Sequence, residues 1–357
     1  MSITPQFVRI AVSVCPASPT FSLTAGRLRR NYRWRVPPAI SSTDFSRRGR
    51  TSSPNQLTFQ HRPARTKSTP LKLLIEAAIL LAASSATRAQ TVPTAIYTDP
   101  PADAAHPAAM TVLHIPSHGV LINGLVYQPA GAGPHPTLVI CHGLPGNEKN
   151  LDLAQAVRRA GWNAVTFNYR GSWGSPGVFR FAQNLEDADS VLDFLRDPAN
   201  SAKLGIDTKR IVIAGHSMGG WVVVNTAAHD RGLIGAIIIS AADMGGQGNA
   251  PQDRLVALMA DNMEALSGVT AESMASDVKT LSKEFRFENA AAGLIETPLL
   301  ALTSDDGLAP TTDALVHAIE AKGGHKVTEV HFATDHSYSD HRIALESAII
   351  TWLAGLR

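Results

Sequence analysis

The sequence predicts an α/β fold, with about eight strands in a mostly parallel sheet and helices on both faces. Two observations carry this. From residue 110 onward, short apolar runs of buried-strand type alternate with segments whose apolar residues recur every three or four positions. The runs are continuously apolar rather than alternating, which marks strands covered on both faces, as in a parallel sheet.

The elements follow in order. Residues 111–115 and 120–127 read as two strands joined by the short turn Ser117-His118-Gly119. That hairpin makes the sheet mixed at one edge. The run PTLVIC (136–141) is a buried strand. Residues 152–160 form a helix with Leu153, Val157 and Ala160 on one face, and 162–169 is the next strand. Leu185, Ala188, Leu192 and Leu195 mark a helix at spacings of three and four. A strand at 210–214 precedes a helix at 218–229, and LIGAIIIS (233–240) and 298–303 are further strands. Residues 311–322 are helical, 326–332 a strand, and 339–356 a terminal helix carrying Leu345, Ile349 and Leu353.

One stretch, 245–293, breaks the alternation. It holds no strand signal, and Leu255, Leu258, Met259 and Leu266, then Val278, Leu281 and Phe285, suggest two helices. An insertion there sits over the strand C-termini, where open α/β sheets bind ligands, and reads as a small helical cap. Met244, Met259, Met263 and Met274 either line an adaptable apolar pocket or pack the cap on the core; packing is the preferred reading.

Charge divides the chain. Residues 1–68 carry eleven Arg and one Lys against the single acid Asp44, which leaves 20 basic and 29 acidic groups, net −9, from residue 69 on. An acidic domain repels phosphate backbones, so nucleic acid is not an expected partner. The arm 1–68 is too polar to offset chain entropy and reads as disordered. It fits either a start codon set too far upstream, the preferred reading, or an Arg-rich targeting segment. Residues 69–89 then resemble a secretory signal peptide. Lys72 precedes the apolar run 73–86, which Glu76 interrupts, and small residues suggest cleavage after Ala89 or Ala86. The run, about 14 residues, is short of a stable membrane span. With a functional leader the protein is exported to the periplasm or medium; without one it is cytoplasmic. Residues 90–110, rich in Pro, Ala and Asp, read as a linker, and 111–357 as the folded domain. Of the two cysteines, only Cys141 lies in that domain, so no internal disulfide or cysteine-based metal site is expected there.

The chemistry centres on Gly215-His216-Ser217-Met218-Gly219, a G-x-S-x-G pattern. Five residues with three fixed positions arise by chance in many chains. Here the strand RIVIA precedes the pattern and an apolar helix follows it, the context a nucleophile elbow needs. The turn holds Ser217 in a strained conformation at a helix N-terminus, where N–H groups favour developing negative charge. A serine hydroxyl needs a base. In the chain order serine, acid, histidine the base follows the last strand, which offers His336 and His341. His336, in the loop directly after the strand, is preferred; His331 lies within the strand. The acid follows the preceding strand, which offers Asp305 and Asp306. It holds the imidazole tautomer and stabilises the imidazolium. A backbone N–H of Leu144, in the loop after PTLVIC, joins that of Met218 as the expected oxyanion hole. His216 and Trp173 are candidate substrate contacts, although Trp173 fits simple packing as well. Arg170 is expected to brace loops, and Cys141 to be a small buried residue.

Taken together, HGLPGNEKN (142–150), YRGSWGSPG (169–177), GHSMG (215–219) and DHSYSDHR (335–342) resemble the α/β-hydrolase superfamily. Within it they resemble the branch of prolyl-oligopeptidase-type peptidases, such as dipeptidyl aminopeptidases and acylaminoacyl peptidases, and stand-alone esterases. The resemblance covers about residues 111–357 and implies the α/β-hydrolase fold. Related sequences commonly place the acid four residues before a proline, here Pro310, which selects Asp306. Room for a propeller domain is lacking before residue 110, a departure from true prolyl oligopeptidases. The resemblance implies a serine hydrolase that cleaves carboxylic esters through Ser217, His336 and Asp306, with no metal or organic cofactor. The substrate is a small-molecule ester or a short peptide. A peptidase or amidase is the nearest alternative; an acyltransferase and a catalytically silent binding protein are others. Ser217 argues against haloalkane dehalogenases and epoxide hydrolases, which use an aspartate nucleophile on this fold.

Overall fold

The computed structural model describes residues 92–356. The arm expected over 1–68 and the leader expected over 69–89 lie outside the described residues. Strands β1 (Ala109–Ser117) and β2 (Val120–Gln128) form an antiparallel hairpin. Its two turn residues, His118 and Gly119, have φ of 44° and 88°, the left-handed geometry that matches the twist of the flanking strands.

Then follow β3 (His135–Cys141), α1 (Leu151–Arg159), β4 (Asn163–Phe167), α2 (Phe181–Arg196), α3 (Pro198–Leu204), β5 (Ile206–His216) and α4 (Met218–His229). Strand β6 (Leu233–Ile239) leads into four helices, α5 (Met244–Gln247), α6 (Gln252–Ala260), α7 (Ala271–Leu281) and α8 (Phe287–Ala290). The chain ends with β7 (Leu299–Ser304), α9 (Ala309–Ala321), β8 (Val327–Phe332) and α10 (Arg342–Gly355).

The eight strands form one sheet in the order β1-β2-β4-β3-β5-β6-β7-β8. Strand β2 runs antiparallel to both neighbours, and every other pairing is parallel. The chain steps from β3 outward to β4 and then back across to β5. The β3/β5 junction is therefore the topological switch point, where the C-terminal strand ends leave a crevice.

Alternation along the strands builds two apolar layers. On β5, Ile211 and Ile213 face the layer that holds Leu185 and Leu192 of α2 and Trp221 and Val222 of α4. Val212 and Ala214 face the opposite layer, with Leu153 and Val157 of α1 and Leu345 and Ile349 of α10. Each such Leu, Ile or Val contributes roughly 1.5–3 kcal/mol by leaving water. The helical insertion packs on the first layer: Met244, Met259 and Met274 are buried in it, and Met263 is half-buried against it. These methionines serve packing, in line with the preferred reading of the sequence.

The insertion forms four helices where two were expected, with Leu266 and Phe285 outside them, and two other elements differ from expectation. Helix α3 is not legible as an apolar stripe, because only Leu204 of its residues is buried. It is held by its ends: the Asp197 carboxylate accepts hydrogen bonds from the Ala199 and Asn200 N–H groups at 3.0 Å, Pro198 occupies the first turn, and Gly205 closes the helix at φ 64°. The terminal helix starts at Arg342 instead of 339. Asp335 accepts from the N–H groups of Ser337 and Ser339, at 3.1 and 2.9 Å, and Tyr338 turns through φ 57°. Those local bonds hold 335–341 as a loop.

Candidate active site

Strand β5 delivers Ser217 to the switch point. Ser217 has φ 56° and ψ −121°, a sparsely populated conformation for a residue with a side chain. Its geometry is fixed from both sides: the Ser217 N–H donates to Ile239 O at 2.9 Å, and its carbonyl accepts from Ala242 N at 3.0 Å. The turn is possible because two glycines let backbones meet. A Cβ on Gly215 would lie 2.1 Å from Gly219 O, and one on Gly219 would lie 2.1 Å from Cys141 O. The second contact also locks the elbow to the end of β3, where Cys141 is fully buried and burial pushes its thiol up to about 12.

The loop after β3 therefore runs beside the nucleophile. A Cβ on Gly143 would come within 3.0 Å of the Ser217 Cβ. The next residue is Leu144. Among the described residues, neither the Leu144 N–H nor the Met218 N–H donates to another backbone group, so both are free to serve an oxyanion. His142, at the start of the loop, is buried. Its Nδ1 donates to Gly143 O at 2.8 Å, and burial draws its pKa down to about 4, so the ring is neutral at pH 7.

Asp306 and His336 come from the loops after β7 and β8. Asp306 Oδ2 lies 2.7 Å from His336 Nδ1. Asp306 also accepts from the Leu308 N–H at 2.9 Å. Burial of this carboxylate, whose side chain is 5% exposed, opposes its ionisation. The hydrogen bonds from His336 and Leu308 outweigh that effect and hold its pKa below the usual carboxylate value. With Nδ1–H committed to an ionised Asp306, the neutral imidazole presents Nε2 as its acceptor. The His336 side chain is 39% exposed, open to a reactant.

The other candidates have different partners. Asp305 lies on the surface beside His331, Oδ1 to Nε2 3.1 Å, and His341 pairs with its neighbour Asp340 at 2.8 Å. His216, expected against substrate, is instead buried, and its Nε2 donates to the backbone carbonyl of His336 at 2.8 Å. The two imidazoles stand 4.6 Å apart. Burial foremost, with the nearby His336 charge, lowers the His216 pKa to about 4. A neutral ring locked to the loop that carries His336 is a brace for that loop. A link of this kind has no sequence signal, because 120 residues separate donor and acceptor.

Trp173 also ties structure together. Its Nε1 donates to Pro145 O at 2.7 Å, its N–H donates to Ala265 O at 2.9 Å, and Lys149 Nζ stands 4.2 Å from the ring centroid. Trp173 thus joins the 142–150 loop to the helical insertion, and Asn147 Nδ2 adds a bond to Glu264 at 3.0 Å. The strap continues where the Ser267 N–H donates to Gly171 O and the Phe179 N–H to Ser267 O. Arg170 braces the base of this loop through Asp187, Nε to Oδ1 2.7 Å, and through Glu186. No group of three or more His, Cys, Asp and Glu among the described residues is arranged to hold a metal ion. No helix there is long and apolar enough to cross a membrane.

Comparison with known proteins agrees with this architecture. An uncharacterized 31.7 kDa protein from the traX-finO intergenic region of Escherichia coli is 34% identical over 123 residues, 33% of this chain and 41% of that protein. The quorum-quenching protein AidA of Acinetobacter baumannii is 31% identical over 137 residues, 37% of this chain and 43% of that protein. The chain thus spans about four-tenths of the length of the curated relatives it matches. Among solved structures, a thermostable carboxyl esterase from Bacillus coagulans superposes with a TM-score of 0.56 at 16% identity, covering 70% of this chain and 99% of that one. The Pyrococcus horikoshii acylaminoacyl peptidase superposes at 0.53 and 19% identity, covering 69% of this chain and 41% of that one. At such identities the likeness is one of fold. A family model described as the alpha/beta hydrolase family matches residues 138–345, more than half of the chain. With the sheet order and the elbow, that match places the protein: the chain belongs to the alpha/beta hydrolase family.

Proposed function

We propose that this protein is a serine hydrolase that cleaves carboxylic esters of small molecules through an acyl-enzyme. The observation that carries the reading is the Asp306–His336 pair, 2.7 Å apart, on the loops after β7 and β8. It is read together with Ser217, held at φ 56° and ψ −121° between β5 and α4. In this reading His336 Nε2 takes the Ser217 proton as Oγ attacks the ester carbonyl. The N–H groups of Leu144 and Met218 receive the negative charge on the tetrahedral oxygen; one such donor is commonly worth roughly 3–4 kcal/mol in the transition state. His336 then protonates the leaving alkoxide, and water, activated by the same imidazole, releases the acid. Asp306 keeps Nδ1 protonated and stabilises the imidazolium.

The test is turnover of p-nitrophenyl esters of increasing acyl length and of aminoacyl-nitroanilides by the wild-type protein and Ser217→Ala. Ester turnover and fluorophosphonate labelling, both lost in the variant, are the expected result. Preferential cleavage of the anilides moves the assignment to a peptidase. A folded wild type that processes neither substrate and takes no label overturns it.

A further inference from the structure

A groove of about 250 Å³ opens beside the 142–150 loop, on the face of the sheet away from α4. Its apolar lining comes from Leu125 of β2 and Ile140 of β3, with Val112 and Leu151, 58% and 42% exposed, beside them; the Phe167 side chain packs in the opposite layer. Exposed aliphatic residues lining a concave apolar surface mark a binding groove more than ordinary surface.

Its polar end is Lys149. The Nζ donates to Asn168 Oδ1 at 2.9 Å and rests over the Trp173 ring, which uses one of its three donors. Asn168 and Asn123, also on the groove, spend their amide N–H groups on the carbonyls of Trp173 and Gly174. Among the described residues no carboxylate lies within 4.0 Å of Lys149 Nζ. A half-buried ammonium that has spare donors beyond its bond to Asn168 and its contact with Trp173, and no carboxylate partner, can take an anion. The direction of its pKa, drawn down by burial, agrees with that geometry.

We infer that this groove binds a small amphiphilic carboxylate, its apolar body along Leu125, Ile140 and Val112 and its head on Lys149. The charge selects an anion, and the small apolar bed selects an aliphatic or aryl monocarboxylate over a phosphate or a polyanion. The inference stands apart from the hydrolase reading, since it involves neither Ser217 nor His336. The head would contact Lys149 where that residue touches Trp173, which in turn holds Pro145, so the ligand bears on the oxyanion-side loop.

Calorimetric titration of the full-length protein with octanoate and with octanol tests it, using wild type, Lys149→Met and Val112→Trp. The expected result is one saturable octanoate site. Its affinity falls at least tenfold in Lys149→Met, which keeps the apolar stem but not the charge. It also falls at least tenfold in Val112→Trp, which fills the groove from an exposed strand position that tolerates bulk. Octanol should bind at least tenfold more weakly than octanoate. No saturable binding, equal affinity for octanol, or an octanoate affinity unchanged in either variant overturns the proposal. Circular dichroism of each variant checks the fold, and the exposed Val112 site remains informative if the Lys149 variant is unstable.

Discussion

His216 Nε2 donates to the backbone carbonyl of His336 at 2.8 Å, so the residue before the candidate nucleophile holds the loop that carries the candidate base. The bond runs from the end of β5 to the loop after β8. In His216→Ala the His336 carbonyl loses its partner and the ring loses a neighbour at 4.6 Å. A lost hydrogen bond to a buried group costs about 1–3 kcal/mol, and a misplaced base lowers kcat more than it raises KM. We expect kcat to fall roughly 10- to 100-fold with KM nearly unchanged. His216→Gln, which can still donate to the carbonyl, should recover part of the loss. A KM effect as large as the kcat effect contradicts a positioning role.

The same ring predicts acid sensitivity. His216 and His142 are buried and titrate at about 4 in the fold, whereas the unfolded chain binds these protons near 6.5. A histidine pKa lowered by folding makes the unfolded state the better proton binder between those values. Stability therefore falls as pH drops from about 6.5 to about 4, by on the order of 3 kcal/mol for each ring. Urea denaturation at several pH values reads this. The slope of stability against pH in that window should lessen in a folded His216→Gln variant. An unchanged slope shows that the ring does not titrate as its burial requires.

Asp305 and Asp306 separate cleanly. Asp306 is bonded to His336, and Asp305 only to the exposed His331. Asp306→Asn leaves the elbow intact but removes the charge that fixes the imidazole tautomer, a change that lowers kcat by about 10⁴ in the Ser-His-Asp proteases. We expect a loss of at least about 10³ for Asp306→Asn, and less than about threefold, or 0.6 kcal/mol, for Asp305→Asn. Comparable losses in both variants contradict the assignment of the acid.

The sheet was legible because its strands are continuous apolar runs and its helices carry stripes; Ile211 to Ala214 and Leu345, Ile349 and Leu353 needed nothing more. The elbow was legible because close backbone approach at Gly215 and Gly219 leaves glycines in the sequence. Helix α3 was missed although Asp197-Pro198 and Gly205 are start and stop signals, because it buries a single residue and so has no stripe. Arg170 was legible as a brace, but two others were not. His216 to His336 and Trp173 to Pro145 end on carbonyl oxygens, which every residue has, so the partner leaves no mark on the sequence.

Trp173→Phe tests the second brace. The substitution keeps an aromatic ring beneath Lys149 and deletes the bond from Nε1 to Pro145 O. Leu144, whose N–H is the candidate oxyanion donor, immediately precedes Pro145. Loosening the loop by about 1 kcal/mol should lower kcat roughly fivefold, with a smaller change in acyl-length preference. If the preference shifts and kcat holds, Trp173 is a pocket wall, as the sequence alone allowed.

Glu346 ties the stability of the site's frame to pH in the opposite sense. It is buried beside the Asp152–Arg342 pair, in which Arg342 Nη2 reaches Asp152 at 2.6 Å and Asn150 at 3.0 Å, joining α10 to the end of the 142–150 loop and the start of α1. Burial first, and the Asp152 carboxylate second, raise the Glu346 pKa to about 7 from an ordinary 4.5. A carboxyl pKa raised by folding makes the native state the better proton binder between about 4.5 and 7, so this residue's contribution to stability declines as pH rises through that window. The loss is on the order of 1–3 kcal/mol. Glu346→Gln keeps the shape without the charge. Its melting temperature should match wild type near pH 5 and exceed it by several degrees at pH 8. A difference that does not grow with pH means that Glu346 is ionised in the folded protein at both values, with Arg342 sharing its charge between two carboxylates.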